Sequence, residues 1–327
     1  MKPKISFVIP AKNEQGSVEI LYEEIIEVLK KMTQAPDALK NSFEIIFIDD
    51  GSTDDTFEIL KKLYEKNKHL KIIRMRGNFG KSAALQVGFD AALGNIIFTM
   101  DADLQDNPKE IPKFLDKINE GYDLVSGWKK KRYDSQIQKV IPSRIINFLT
   151  RTLIGIPIHD TNCGFKAYRR EVVQNLNLYG ELYRFIPVIA YKQNFKVGEV
   201  EVLHRKRLYG KTKFGWERGI KGILDLLTII FLTGFIRRPG HFFGSLGLGS
   251  FFLGFLIGLY IAYLRITTGS IQSRHPLLFL GMLLMIIGIQ FISTGLLAEM
   301  IVYSRRKLDY TPAIKEALGV QGKLYTN

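Results

Sequence analysis

Cysteine is almost missing from this 327-residue chain: Cys163 stands alone, so no internal disulfide can form. That suits a main domain kept in a reducing compartment, with Cys163 as a small core residue rather than a reactive thiol. The five histidines are scattered and no H-E-x-x-H or Cys/His cluster occurs, which leaves zinc chemistry unsupported. The turn after the first strand-like run, "IPAKNEQGS", lacks G-x-G-x-x-G, and no Walker phosphate loop follows any strand. A G-x-S-x-G elbow is absent as well, so nothing points to an acyl-serine hydrolase. There is no internal repeat, low-complexity tract or long flexible linker, and "MKPKISFVIP" is too short for a signal peptide and reads as a strand.

The most informative absence is one of charge. No Asp, Glu, Lys or Arg lies between Arg238 and Arg265, nor between Arg274 and Glu299. Each gap exceeds the ~20 apolar residues that cross a bilayer, and neither shows the polar stripe of a soluble core helix. Two transmembrane helices are expected, at about 241–264 and 276–303 within a 239–304 region. The first repeats small residues (Gly244, Gly247, Gly249, Ser250, Gly254, Gly258), a pattern that lets helices approach closely within or between subunits. Basic residues precede the first helix (Lys211, Lys213, Arg218, Lys221, Arg237, Arg238) and follow the second (Arg305, Arg306, Lys307), while the connecting loop holds only Arg265 and Arg274. The positive-inside tendency then puts both termini in the cytoplasm. The run "IKGILDLLTIIFLTGFI" contains Asp225 and is too short to span comfortably, so 217–238 reads as an amphipathic interfacial helix.

What is present upstream is an alternation of strand-like and helix-like patterns: "ISFVIP", an amphipathic stretch through Val18, Leu21, Ile25, Val28 and Leu29, "FEIIFIDD", a helix through Phe57, Leu60 and Leu63, "LKIIRM", a helix from Lys81 to Leu93, and "NIIFTM". Alternation of this kind predicts an α/β domain with a mostly parallel sheet, whose ligands gather at the carboxyl ends of the strands. Asn13 and Glu14 follow the first strand, Asp49 and Asp50 end the second, and Asp101 and Asp103 follow the fourth. Beyond Pro108 come a helix to about Asn119, the strand "YDLVSG", a basic segment, and "FKVGEVEVLHRKR", which alternates like an edge or hairpin strand.

In an extended segment Asp101 and Asp103 point to one side, and two such carboxylates repel unless a cation sits between them. Oxygen ligands suit Mg²⁺ or Mn²⁺, which bind one or two carboxylates together with substrate phosphates, and Gln105 adds a neutral oxygen. Alternatively the acids form a solvated turn that caps the helix near Pro108, the role expected of Asp106.

These segments resemble a family. "VIPAKNE", "IFIDDGSTDDT", "RGNFGKSAAL" and "MDADLQDNP" look like an inverting family 2 glycosyltransferase of GT-A fold. "VSGWKKKR", "IPSRIIN", "HDTNCGFKAYRREV" and "RLYGKTKFG" are similar to the branch that loads single sugars onto polyprenyl or dolichyl phosphates, bacterial type with two C-terminal transmembrane helices. The resemblance covers essentially the whole chain, and the Q-x-x-R-W motif of processive synthases is missing. It implies a catalytic domain over 1–216 (a nucleotide-sugar half, 1–107, and an acceptor half, 108–216), the interfacial and membrane regions above, and a cytoplasmic tail over 305–327.

The resemblance also implies roles. Pro10, Ala11, Asn13 and Glu14 line the nucleotide pocket, with Asp49 or more specifically Asp50 accepting from the base. Lys81 approaches the nucleotide or its phosphates, and the backbone at Ala102 lies near the ribose. Asp101, Asp103 and Gln105 gather Mg²⁺ or Mn²⁺ against the diphosphate. Arg144, Arg207 and Lys213 dock the acceptor phosphate, with Lys129 to Arg132 as further contributors or as a solvated, lipid-facing run. Asp103, Arg207 and Lys213 are the expected catalytic set. A lipid phosphate needs no general base, because its second pKa lies near ~6. Trp128, Trp216 and His159 read as packing or interfacial residues, and Asp160 as a sugar or structural contact. The expected partners are a nucleotide-sugar (UDP-glucose by subfamily resemblance), polyprenyl phosphate, the membrane and a second copy of the chain, with no nucleic acid. GDP-mannose, UDP-aminoarabinose or UDP-N-acetylhexosamine are alternative donors. A diacylglycerol is an alternative acceptor, and a non-enzymatic nucleotide-sugar-binding subunit is the remaining alternative.

Overall fold

The computed structural model describes residues 3–33, 42–130, 155–205, 239–271, 273–303 and 313–320. Arg132, Arg144, Arg207, Lys213, Trp216 and the expected interfacial helix at 217–238 lie outside the described residues. The chain divides into two units, one of Met1–Leu227 with Leu308–Asn327 and one of Thr228–Lys307.

The first unit is built on β1 (Ile5–Ala11), β2 (Phe43–Asp49), β3 (Leu70–Met75), β4 (Ile96–Thr99), β5 (Leu124–Trp128), β6 (Lys166–Arg169), β7 (Val197–Glu201) and β8 (Ile314–Leu318). They form one mixed sheet in the order β7-β5-β6-β4-β1-β2-β3-β8. β1 pairs in parallel with β2 and β4, and β2 with β3, so the strands run outward in both directions from β1. β6 is antiparallel to both β4 and β5, while β7 closes one edge in parallel with β5, as its alternating sequence suggests. This is the α/β, GT-A-like architecture expected from the alternation of elements.

The helices cover the sheet for the reason their sequences give. α1 (Val18–Thr33) turns Val18, Leu21, Ile25 and Leu29 into the core, all at most 2% exposed. α2 (Thr56–Lys66) buries Phe57 and Leu60, and α4 (Ile111–Asn119) buries Ile111, Phe114 and Ile118. α3 (Lys81–Ala91) is small and apolar on nearly every side, which lets it lie deep against β1 and β2. Phe7 stacks on Phe98 at 5.1 Å and Phe114 packs on Phe165 at 4.3 Å, linking β1, β4 and α4 through the middle of the core. Two shorter helices, α5 (Arg170–Gln174) and α6 (Ile186–Lys192), also belong to the described part of this unit.

Two strands were not visible in the sequence. β6 hides because Lys166, a charged residue, occupies a position only 3% exposed. β8 comes from the segment read as a tail. It pairs antiparallel with β3, so the chain returns to the sheet after its apolar region.

The second unit contains α7 (Pro239–Thr268) and α8 (His275–Tyr303). Phe242–Thr268 and His275–Ala298 are long and apolar enough to cross a membrane. Leu248, Phe252, Tyr263, Phe279, Ile286 and Leu296 are each at least 60% exposed, unlike the core helices of a soluble protein. Some of the small residues are spent inside the hairpin: a Cβ on Gly247 lies 2.6 Å from the Gly288 carbonyl oxygen, and one on Gly254 lies 2.5 Å from that of Gly281.

Candidate functional site

Three loops meet at the carboxyl ends of β1, β2 and β3. Asn13, at φ 53°, donates its N–H to Ser52 Oγ (2.9 Å) and accepts at Oδ1 from the Thr53 N–H (2.8 Å). The Glu14 N–H donates to Thr56 Oγ1 at 2.9 Å, and Gln15 Oε1 accepts from the Asp55 N–H at 3.1 Å. Asp49, wholly buried, accepts from the Ser52 N–H at 2.9 Å and lies 3.6 Å from Arg74 Nε. Asp50 accepts from the N–H groups of Phe79 (2.8 Å) and Gly80 (3.0 Å), which fixes the approach to α3. Burial raises the Asp50 pKa against the lowering effect of those two donors. The loops touch closely enough at Gly51, φ 69°, that a Cβ there lies 2.5 Å from the Gly77 carbonyl carbon. Asn13, Asp49 and Asp50 thus spend polar atoms on stitching the rim together. The methyls of Ala11 and Ala102 point into the hydrophobic core, and Pro10 lines a small cavity described below.

The carboxylate stretch departs from the extended geometry expected of it. β4 stops at Thr99, and residues 102–103 turn, with Leu104 at φ 61°, so the period-two argument for Asp101 and Asp103 does not apply. Asp101 is ion-paired with Lys81 in the first turn of α3, and the Lys81 ammonium also lies 5.0 Å over the Tyr183 ring. Asp103, partly exposed, accepts at Oδ1 from the Gln105 N–H at 3.2 Å, which shapes the turn itself.

Asp106 does not cap the next helix. Asn107 does, accepting at Oδ1 from the Lys109 N–H at 3.2 Å. Asp106 is 1% exposed, accepts from the Asp101 N–H at 3.3 Å, and lies 2.8 Å from Lys129 Nζ. The run that begins at Lys129 is therefore not a solvated face at its first member, whose side chain is 11% exposed. A buried carboxylate needs a partner more than a helix end needs a second cap, and that is why the local cap signal misleads here.

Lys166, from β6, extends beneath the same turn and donates to the Cys163 carbonyl. With Lys81, Asp101, Thr99, Tyr168 and Tyr183 it lines a cavity of about 10 Å³, room for one water. Gly164 lies beside it, and a Cβ there, 2.5 Å from an Asp101 carboxylate oxygen, would displace that carboxylate. Burial opposes charge on Lys81 and Lys129, but the adjacent carboxylates prevail and raise both pKa values. Burial likewise opposes charge on Asp101, and Lys81, Lys129 and Lys166 outweigh it, holding its carboxyl below the ordinary value. Lys166 has less compensation, and burial depresses its pKa to about 8. Burial pushes the Cys163 thiol up to about 12, leaving it inert.

Among the described residues no three His, Cys, Asp or Glu side chains close around a ready-made metal centre. Asp101, Asp103 and Gln105 are hard oxygen donors on one turn, a set that fits Mg²⁺ or Mn²⁺ completing its coordination with diphosphate oxygens. A cation, Lys81, already stands beside Asp101, which shows that the turn stabilises positive charge. Asp160 is 2% exposed, and its Oδ1 accepts from the Asn162 N–H at 3.2 Å in a local turn. Trp128 stacks on His159 at 4.4 Å, and His159 is bonded to Glu199, consistent with packing roles. Lys166 and the Asp106–Lys129 pair were missed from sequence. The only available signal was a lysine inside an otherwise strand-like "FKAYR".

The site lies where the strand order reverses around β1, at the carboxyl ends of β1 and β4, the crevice in which open α/β sheets bind ligands. The chain is similar to known proteins in sequence and in fold. A family model described as glycosyl transferase family 2 matches residues 6–176. The chain is 38% identical over 313 residues to dodecaprenyl-phosphate galacturonate synthase of Rhizobium johnstonii, covering 94% of this chain and 90% of that protein. It is 35% identical over 300 residues to undecaprenyl-phosphate 4-deoxy-4-formamido-L-arabinose transferase of Klebsiella pneumoniae, covering 91% and 88%. The fold is shared with glucosyl-3-phosphoglycerate synthase of Mycobacterium tuberculosis, crystallised with Mn²⁺, UDP-glucose and phosphoglyceric acid. The TM-score is 0.52 at 20% identity, over 71% of this chain and 80% of that one.

Proposed function

The chain belongs to glycosyl transferase family 2, and from that premise we propose that it transfers one sugar, with inversion, from a nucleotide-sugar to polyprenyl phosphate at a membrane. The observation that carries the reading is the carboxylate turn, Asp101 to Asp106, at the carboxyl end of β4 in a chain whose relatives load polyprenyl phosphates along more than nine-tenths of its length.

In this reading the joined loops around Asn13, Glu14, Asp49 and Asp50 hold the nucleotide, and the Ala102 backbone borders the ribose. Asp101, Asp103 and Gln105 would hold Mg²⁺ or Mn²⁺. Such an ion, when bound, neutralises charge on the diphosphate as a Lewis acid. Lys81 exchanges part of its pairing with Asp101 for the donor phosphates. Arg144, Arg207 and Lys213, with Lys129 and Arg132 as further positive charge, hold the acceptor phosphate. An oxygen of that phosphate forms the new bond to the anomeric carbon as the bond to the diphosphate breaks, and the electron pair leaves with the nucleoside diphosphate. No proton need be removed from the nucleophile, because a phosphomonoester with a second pKa near ~6 is already largely dianionic at neutral pH.

The donor proposed is a UDP-sugar, UDP-glucose first, with galacturonate and 4-formamido-arabinose donors included because the two relatives are named for those sugars. α7 and α8 cross the cell membrane as a hairpin. Support comes from the first unit, which contains chain on both sides of that hairpin and so requires an even number of crossings. The excess of Lys and Arg flanking the hairpin supports a cytoplasmic catalytic unit. Self-association through the helices belongs to the same proposal, since Gly244, Gly249 and Gly258 have nothing packed at the Cβ position.

The test is incubation of the purified protein with undecaprenyl phosphate and a panel of UDP- and GDP-sugars, with mass detection of lipid products. A glycosylated polyprenyl phosphate from one UDP-sugar supports the reading. Transfer only to diacylglycerol, or nucleotide binding with no product from any donor, overturns it.

A further inference from the structure

The turn that carries Asp101 and Asp103 is closed on its far side by the segment that follows β7. His204 pairs with Asp106 in an antiparallel bridge, and the Arg205 N–H donates to the Gln105 carbonyl at 3.0 Å. The Arg205 guanidinium continues the contact. Its Nη1 donates to both carboxylate oxygens of Glu24 on α1, 2.8 Å each, and its Nη2 donates to Asn107 Oδ1 at 2.6 Å. One side chain therefore joins α1, the end of the carboxylate turn and the segment after β7 that leads, two residues on in sequence, to Arg207.

The ion pair in this arrangement adds little to stability. The Arg205 and Glu24 side chains are 32% and 30% exposed, and ion pairs with that much solvent contribute little to folding. What they provide is geometry. A planar guanidinium fixes three bonds in one orientation, which a lysine's single ammonium does not reproduce. A displacement reaction needs such a constraint, because the attacking oxygen must approach in line with the bond that breaks, and an error near ~1 Å costs on the order of 100-fold in rate.

We propose that Arg205 is a positioning residue for transfer, fixing the register between the acceptor-side segment after β7 and the Asp101–Asp106 turn. The inference rests on the reading of polyprenyl phosphate as acceptor. It is distinct from binding of the acceptor phosphate, because the Arg205 donors are directed to Glu24 and Asn107.

The test compares full-length Arg205→Lys and Glu24→Gln with wild type by thermal melting, UDP affinity, and kcat and KM for undecaprenyl phosphate. Both variants should keep Tm within about 2 °C and UDP affinity within about two-fold, since the ion pair is partly exposed, the Asn107 cap itself is retained, and no nucleotide loop is touched. Turnover should fall about ten-fold or more in Arg205→Lys and less in Glu24→Gln, with acceptor KM raised in both. A lower Tm with unchanged kcat per folded molecule means a structural role and overturns the inference, as does a loss expressed in UDP affinity. Normal turnover of both variants beside an active wild type overturns this inference alone. A wild type that makes no lipid-linked sugar overturns the proposed function and this inference together.

Discussion

The two ends of the sheet both bury charge, and they treat it differently. At the amino end Glu44, 3% exposed, accepts from Ser6 Oγ (2.5 Å) and the Leu93 N–H (2.6 Å) and is ion-paired with Lys71. Ser6 Oγ in turn accepts from the Gly94 N–H at 2.8 Å, so the turn between α3 and β4 is tied to β1 and β2. Every contact there is within the chain, and the knot is closed. At the carboxyl end, Asp101 and Asp106 are partnered by Lys81 and Lys129 on separate elements, Lys166 sits in a water-sized cavity, and Asp103 remains partly exposed. The first arrangement holds two elements together. The second leaves charge of both signs beside solvent at Lys81, Asp101 and Asp103, as a site for anions and a cation requires. Burial of charge alone therefore does not mark a functional site. The difference lies in Lys81, Asp101 and Asp103, which keep solvent access, whereas the Asp106–Lys129 pair is as buried as Glu44–Lys71.

The comparison can be broken at either end. Chelation with EDTA is expected to abolish transfer, with Mg²⁺ or Mn²⁺ restoring it, while Tm stays constant; activity that survives chelation removes the metal from the carboxyl end. Glu44→Ala should cost about 3–5 kcal/mol of stability, because it leaves the Lys71 ammonium and the Ser6 and Leu93 donors without their buried acceptor. Turnover per folded molecule should change little, and a denaturant or thermal melt beside the activity assay separates the two.

A smaller effect is expected from Lys166. Its pKa in the folded chain, about 8, lies below the ordinary 10.5, so the unfolded chain binds more protons between those values. Stability then rises with pH through that window, and the gain disappears as pH falls through about 8. Lys166→Met should flatten this rise, as measured by Tm against pH.

Much of this architecture was legible in the sequence because strand and helix periodicity agree with burial. β1 to β5 and α1 to α4 follow from apolar runs and amphipathic spacing, and the apolar hairpin follows from missing charge. The failures have physical causes. "IKEAL", which forms β8, has high helix propensity and becomes a strand only because the exposed edge of β3 accepts it. Asp106 precedes a proline-led helix and looks like a cap, yet its burial beside Lys129 decides its role. The Arg205–Glu24 contact joins residues 181 positions apart, for which no local pattern exists. At the site, the carboxylates and their strand-end location were readable, as were Lys81 and Lys129 as site residues, whereas their pairing with Asp101 and Asp106, and the presence of Lys166, were not.

The central claim, that the Asp101–Asp106 turn does chemistry while the Glu44 knot does structure, is tested most directly by Asp103→Ala. The measurement is the rate of formation of polyprenyl-phosphate-linked sugar, taken beside a thermal melt of the same preparation. The account predicts a loss of transfer of about 1,000-fold or more with Tm unchanged. Near-normal turnover by a folded Asp103→Ala protein would contradict it.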